Sequence, residues 1–204
     1  KPLLQFVLQM LSLVLRSAEQ VLNNYFYSFH IGEMRLWFVY LQDGELYQLW
    51  SRRKAVSYAR LVGEEAKAMP GAVELVESVA AALPIGLATG SRTCDVEAAL
   101  NNLADGRMAG LFQTIVTADD VENSKPDPAS YATAVGNLGV DPSACYAIED
   151  SPDGIKSAVG AGLRVIGVAV MHDASKLSDA ERVVSTLAGV SLDDLRQWFA
   201  ETVD

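Results

Sequence analysis

From Pro70 onward, short apolar runs alternate with longer segments whose apolar residues recur at helical spacing. The runs predict buried strands, and the spaced segments predict helices. Strands separated by helices of this length predict an α/β fold with a Rossmann-like, doubly wound parallel sheet. The predicted strands are Ile85–Ala88, Thr114–Val116, Cys145–Ile148 and Val165–Val170, and the predicted helices are Ala72–Leu83, Asp95–Leu103, Ala129–Leu138, Ile155–Gly160 and Ser191–Ala200.

The first third of the chain follows a different pattern, which divides the protein into residues 1–68 and residues 69–204. Apolar residues at helical spacing and a patch of aromatic residues predict a mainly helical region before Pro70. Within it, Leu3–Leu15 is strongly apolar. A signal-peptide core is one interpretation of that run, but no small-residue cleavage pattern follows it, so a buried helix is favoured.

Composition limits the classes of partner. The formal net charge is −10 and the sequence pI is about 4.6, which argues against nonspecific binding to nucleic acid or to an anionic membrane. An acidic protein can still hold a small anion at a locally positive site. No run is long enough to span a membrane. Cys94 and Cys145 have no metal-ligand spacing and are expected to be reduced thiols of a cytoplasmic protein.

Two adjacent carboxylates, Glu149 and Asp150, follow the predicted strand Cys145–Ile148 and precede a helix. The carboxyl ends of strands are where open α/β sheets bind ligands. Mg²⁺ prefers oxygen ligands and is commonly held by one or two carboxylates, so the pair predicts a magnesium site. The alternative is that one of the two acids only caps the helix that follows Ser151.

Two further strand ends carry groups suited to anions. Thr89-Gly90-Ser91 offers two hydroxyls and glycine-turn N–H groups, although such a sequence is also an ordinary turn and N-cap. Lys125 lies in a loop stiffened by Pro126 and Pro128 and suits a phosphate or a group of carboxylates, although a solvated loop lysine is the alternative. Phosphate donors, a fixed cation and an acid pair on successive strand ends are the parts that phosphoryl transfer requires.

These three motifs, in this order, resemble those of the haloacid dehalogenase-like hydrolase superfamily, in the branch of β-phosphoglucomutase and phosphoglycolate phosphatase. The resemblance implies that residues 1–68 form the helical cap region. It also implies Mg²⁺-dependent hydrolysis of a small phosphate monoester of the sugar phosphate class through an aspartyl-phosphate. The implied roles are catalysis and phosphate binding by Thr89 and Lys125, phosphate binding by Gly90 and Ser91, and metal binding by Glu149 and Asp150.

The sequence departs from the family at the nucleophile, an aspartate that ends the first strand and is followed two residues later by an acid/base aspartate. Leu41-Gln42-Asp43-Gly44 faintly resembles the end of that motif, but Leu41 stands at the nucleophile position. The expected explanation is a chain that lacks its first core strand, and a pseudoenzyme is the rival. A β-phosphoglucomutase-like mutase and a noncatalytic binding protein remain alternatives to a phosphatase. The sequence predicts neither the oligomeric state nor the individual substrate.

Overall fold

The computed structural model describes the backbone of Gln5–Leu8 and residues 68–201. All labels below refer to these residues. The strands are β1 Gln5–Leu8, β2 Ile85–Ala88, β3 Thr114–Val116, β4 Cys145–Glu149, β5 Arg164–Val168 and β6 Arg182–Val184. The helices are α1 Ala72–Ala80, α2 Thr93–Asn102, α3 Ala129–Leu138, α4 Pro152–Gly160 and α5 Leu192–Ala200.

The strands form one parallel sheet in the order β3-β2-β1-β4-β5-β6. Its two faces pack into two separate apolar clusters. Tyr146 and Ile148 of β4 join one cluster with α1, α2 and α5, while Cys145 and Ala147 join the other with α3 and α4. This alternation is the two-residue period of a strand that is buried on both faces. The predicted α/β fold with a Rossmann-like sheet is therefore confirmed.

The centre of the sheet corrects two expectations. Gln5–Leu8, which falls in the predicted buried helix Leu3–Leu15, is a strand that pairs with both β2 and β4. The position expected to lack a strand is therefore filled by β1. The physical reason is that a central parallel strand is buried on both sides and so lacks polar alternation. A short apolar run of that kind has no periodicity that separates strand from helix.

Smaller differences lie at element ends. Helix α4 begins at Pro152 because the Ser151 hydroxyl accepts the Gly154 N–H at 3.1 Å and caps the helix. The edge strand β6, three residues long and half-buried, is an element that the apolar pattern does not predict. The helical prediction for residues 9–67 and the proposed boundary after residue 68 lie outside what the structure describes or tests. No helix within residues 68–201 is long and apolar enough to cross a membrane.

Candidate functional site

The carboxyl ends of the three central strands are level with one another. Leu8 of β1 pairs with Leu87 of β2 on one side and with Ile148 of β4 on the other. The Thr89 loop and the Glu149–Asp150 pair therefore leave the sheet at the same edge, on either side of β1. This edge is where open α/β sheets bind their ligands.

Lys125 lies between these two strand ends. Its Nζ donates to the Ala88 carbonyl at 3.2 Å and to Glu149 Oε1 at 2.8 Å. Since Ala88 ends β2 and Glu149 ends β4, the ammonium spans the carboxyl end of β1. Only 9% of the Lys125 side chain is exposed, so Lys125 is not the solvated loop lysine of the alternative interpretation.

The loop that carries Lys125 is fixed to α3 and α4. The Asp127 carboxylate accepts the Ala129 N–H at 2.9 Å, which anchors the loop to the first turn of α3. The Asp127 carbonyl accepts the buried Ser157 hydroxyl of α4 at 2.6 Å. The lysine is therefore held by a loop with little conformational freedom.

Two opposing effects act on the pKa of the Lys125 ammonium. Burial lowers the pKa of its ammonium, while the negative charges of Glu149 and Asp150 raise it, and the net pKa lies below the ordinary value for lysine. A cation this buried is stabilised by the carboxylates around it. Among the residues that the structure describes, the Lys125 ammonium donates to two acceptors, the Ala88 carbonyl and Glu149 Oε1.

The Glu149 side chain is fully buried and accepts hydrogen bonds at both oxygens. Oε1 accepts from Lys125 Nζ at 2.8 Å and from the Tyr131 hydroxyl at 3.0 Å. Oε2 accepts from the Asp150 N–H at 2.9 Å and from the N–H and hydroxyl of Ser151, both at 3.2 Å. A carboxylate has about four lone-pair sites, so protein donors occupy the acceptor capacity of Glu149.

The hydrogen bonds of Glu149 bear on whether the acid pair can bind Mg²⁺. A ligand to the metal needs a carboxylate oxygen that is not already committed to protein donors, and Glu149 does not meet that condition. Among residues 68–201 there is also no group of three or more His, Cys, Asp or Glu side chains that could hold a metal ion. The described residues therefore do not make a Mg²⁺ site by themselves.

The Thr89 loop uses part of its hydrogen-bonding capacity internally. The Thr89 N–H donates to the Val116 carbonyl at 2.9 Å, and the Ser91 N–H donates to Thr89 Oγ1 at 3.1 Å. The Thr89 hydroxyl keeps its own proton to donate. Gly90 is exposed, and a Cβ on it would meet no atom within 4 Å. The groups suited to an anion are therefore the two hydroxyls and the Gly90 N–H.

The start of α2 is already occupied by protein groups. Asp119 Oδ2 accepts the Thr93 N–H at 2.9 Å, and the hydroxyls of Thr93 and Thr117 lie 2.9 Å apart. This carboxylate takes the favourable position at the positive end of the helix. The anion site expected at this strand end thus depends on the Thr89–Ser91 loop rather than on the helix N-terminus.

Tyr131, which contacts both Lys125 and Glu149, is a site residue that the sequence does not predict. Tyr131 is fully buried in the first turn of α3, its hydroxyl donates to Glu149 Oε1, and Lys125 Nζ lies 4.5 Å from its ring centroid. The available signal was its position early in the helix that follows the lysine loop. An aromatic residue there is far more often ordinary core, so the pattern did not distinguish it.

The position of the family's nucleophile can now be located in the sequence. In the family that the motifs resemble, this aspartate stands at the end of the first strand. In this chain β1 ends at Leu8. The residues that follow are Gln9, Met10 and Leu11, which lie outside the described residues. Neither Gln9 nor Leu11 is an acid.

Comparison with curated proteins points to phosphatases. The chain is 36% identical over 121 residues to validoxylamine A 7'-phosphate phosphatase of Streptomyces hygroscopicus subsp. limoneus, covering 59% of this chain and 55% of that protein. It is 31% identical over 126 residues to hexitol phosphatase A of Escherichia coli (strain K12), covering 61% of this chain and 56% of that protein. The chain thus spans about half the length of the curated relatives it matches.

A likeness among solved structures supports the fold. The crystal structure of CbbY from Rhodobacter sphaeroides in complex with phosphate superposes with a TM-score of 0.77 at 22% identity, over 95% of this chain and 100% of that one. The putative β-phosphoglucomutase from Thermotoga maritima gives a TM-score of 0.71 at 23% identity, over 96% and 99% of the two chains.

The family profile agrees with the three motifs on the described strand ends. The sequence model of the haloacid dehalogenase-like hydrolase family matches residues 10–168. This range includes the Thr89 loop, Lys125 and the Glu149–Asp150 pair, and it covers more than half of the chain. The protein therefore belongs to the haloacid dehalogenase-like hydrolases.

Proposed function

We propose that this site binds the phosphate group of a small phosphate monoester of the sugar phosphate class. The observation that carries the proposal is the buried Lys125 ammonium, held between the ends of β2 and β4 with one N–H for which no described residue is an acceptor. The relatives support the class, since their names specify a validoxylamine phosphate phosphatase and a hexitol phosphatase. CbbY was crystallised with phosphate and with xylulose-(1,5)bisphosphate.

In this proposal each residue has a defined task. The hydroxyls of Thr89 and Ser91 and the Gly90 N–H donate to phosphate oxygens, and Lys125 neutralises their charge. Asp150 contributes to a Mg²⁺ site that is completed by groups other than Glu149. When bound, the metal would supply further neutralisation of the phosphate. Glu149 serves as the buried counter-ion of Lys125.

Hydrolysis of the family type requires an aspartate nucleophile at the end of the first strand. Because Gln9-Met10-Leu11 follows β1, the sequence provides neither that aspartate nor its acid/base partner. This observation favours a second candidate function, a noncatalytic protein that binds the same phosphate ester. A mutase needs the same nucleophile, so the sequence after β1 disfavours it equally.

The proposal is tested by calorimetric titration with inorganic phosphate, with glucose 6-phosphate as a sugar phosphate and with AMP as a nucleotide. We expect the sugar phosphate to bind more tightly than AMP. Lys125→Met, which removes the charge and keeps the chain length, should weaken binding at least about tenfold.

The matched control is Arg196→Met, which removes one positive charge from an exposed position on α5. We expect it to leave the affinity unchanged. Equal affinities of Lys125→Met and the wild type would contradict the proposed site. Preference for AMP would contradict the proposed class of ligand.

A further inference from the structure

Tyr131 contacts both charged partners of the site, Glu149 and Lys125. Tyr131 Oη and Lys125 Nζ donate to the same atom, Glu149 Oε1, at 3.0 and 2.8 Å. The ammonium also lies 4.5 Å from the Tyr131 ring centroid, within the range of a cation–π contact. One side chain therefore holds the counter-ion with its hydroxyl and the cation with its ring.

We propose that Tyr131 is a positioning residue, which fixes the Glu149 carboxylate and through it aims the Lys125 ammonium at the bound anion. The inference rests on the proposed function, because it assigns Tyr131 a part in the same phosphate site. It concerns a residue that would not touch the ligand itself.

The first argument is that the carboxylate has no freedom to rotate while Tyr131 is present. Glu149 Oε2 is held by the N–H groups of Asp150 and Ser151 and by the Ser151 hydroxyl. Within the described part of the chain, the donors to Oε1 are Tyr131 and Lys125. Without the Tyr131 hydroxyl, Lys125 is the one of these two donors that remains at Oε1. The orientation of the carboxylate is then less restricted, and so is the position of the ammonium that donates to it.

The second argument is that Tyr131 acts as a permanent donor. Burial raises the pKa of its hydroxyl well above the ordinary value, and the negative charge of Glu149 raises it further. The geometry is that of a donor, since the hydroxyl donates to Glu149 Oε1 at 3.0 Å.

The third argument is that the lysine has little else to fix it. Its remaining described acceptor is the Ala88 carbonyl, 3.2 Å away. An ammonium is a compact charge on a flexible stem, so its direction is set by its partners rather than by its own geometry. The ring of Tyr131 closes one side of the space in which the ammonium can move.

The chain offers a matched control near the amino ends of the strands, on the side of the sheet away from the candidate site. Tyr146 is also fully buried, its hydroxyl donates to Glu181 Oε1 at 2.7 Å, and the Arg164 guanidinium lies 4.9 Å from its ring. Removing either hydroxyl breaks a tyrosine–carboxylate hydrogen bond beside a cation. Only the Tyr131 hydroxyl belongs to the phosphate site.

The test compares Tyr131→Phe, Tyr131→Leu and Tyr146→Phe in the full chain, with thermal melting to verify that each is folded. The first readout is the affinity for inorganic phosphate and glucose 6-phosphate by calorimetry. The second is acetylation of Lys125 by acetic anhydride, measured by peptide mass spectrometry relative to the exposed Lys156 of the same molecule.

We expect Tyr131→Phe to weaken phosphate binding and to raise the relative acetylation of Lys125, each by roughly 3- to 10-fold. Tyr131→Leu, which also lacks the ring, should show larger effects. Tyr146→Phe should change neither quantity, even where it lowers the melting temperature. A purely structural role for Tyr131 predicts instead that the two Phe variants behave alike.

Wild-type affinity together with wild-type acetylation in Tyr131→Phe would overturn the inference. Absence of phosphate binding by the wild-type chain would overturn the proposed function, and the acetylation of Lys125 would still decide whether Tyr131 positions the lysine. The two failures are therefore distinguishable.

Discussion

The carboxylate of Glu149 occupies the space that a side chain on Gly154 would fill. A Cβ placed on Gly154 would lie 1.8 Å from Glu149 Oε1 and 2.0 Å from Cδ. Gly154 is in the first turn of α4, so its lack of a side chain allows a buried acid to lie against the start of the helix. This arrangement places the negative charge near the positive end of the helix dipole.

The first prediction follows from this contact. Gly154→Ala should displace Glu149 and destabilise the protein by about 1–3 kcal/mol, the usual cost of overpacking. The control is Gly136→Ala in α3, where a Cβ would meet no atom within 4 Å; it should be stabilising by about 0.5–1 kcal/mol. Urea unfolding measures both. A Gly154→Ala variant as stable as the wild type would show that the carboxylate relaxes freely.

The second prediction separates the two acids. Asp150→Asn should weaken Mg²⁺ binding at least about tenfold, since even outer-shell partners of a metal typically contribute 10–100-fold. Glu149→Gln should weaken it less, because the Glu149 oxygens are committed to Lys125, Tyr131 and backbone N–H groups. Mg²⁺ titration of the two folded variants measures the difference. The reverse order would assign the metal to Glu149.

The third prediction concerns a cluster at the far edge of the sheet. Glu181 accepts hydrogen bonds from Arg164 and Tyr146, and Arg164 also donates to the Phe199 carbonyl at 2.6 Å at the end of α5. Burial raises the pKa of Glu181, but these hydrogen bonds outweigh it, and the net pKa is lowered. A lowered folded pKa means that the ionised form is favoured in the folded state.

The stabilisation by Glu181 should therefore be fully present above the unfolded pKa of about 4.3 and lost as the pH falls through the lower folded value. Unfolding of the wild type and Glu181→Gln across pH 7 to 3 measures this, and the wild-type advantage should shrink below about pH 4. A constant difference across this range would contradict the assignment. Phosphate affinity should be the same in both proteins at neutral pH.

The fourth prediction concerns activity. The 204-residue chain should not hydrolyse p-nitrophenyl phosphate or sugar phosphates at an enzymatic rate, because Gln9 and Leu11, which follow β1, cannot form the covalent intermediate. The absent general acid alone accounts for roughly 10²–10⁴-fold. Gln9→Asp combined with Leu11→Asp, in the presence of Mg²⁺, should introduce turnover.

Adding Lys125→Met to that double variant should abolish the new turnover. Robust Mg²⁺-dependent hydrolysis by the unaltered chain would show that another residue is the nucleophile. Binding of a sugar phosphate without turnover would support the noncatalytic candidate.

The parts of the fold that could be predicted from sequence are those in which strands and helices alternate along the chain. Strands such as Ile85–Ala88 and Cys145–Glu149 lie between helices and end in turn residues, and this order of strand and helix predicts the parallel sheet. The strand Gln5–Leu8 could not be separated from a helix, because its apolar run continues beyond the strand. Its identity depends on pairing with β2 and β4, which no local pattern encodes.

The candidate site is likewise predictable from the sequence in part. The sequence predicts Thr89, Lys125 and the acid pair because each stands at a strand end among turn residues. It could not predict that Glu149 is committed to Lys125 and Tyr131, because those contacts join residues 24 and 18 positions apart. The assignment of both acids to a metal stays a prediction, and the structure adds that Glu149 accepts hydrogen bonds from Lys125 and Tyr131.

The span of Lys125 across β1 has a consequence for how the site forms. Its two acceptors lie 37 and 24 positions away in the chain, so the site exists only after β2, the lysine loop and β4 have all assembled. A peptide carrying one motif cannot reproduce it, and a partly unfolded chain loses it entirely. An anion bound there selects the fully folded molecule, so it should raise the free energy of global unfolding rather than protect one local segment.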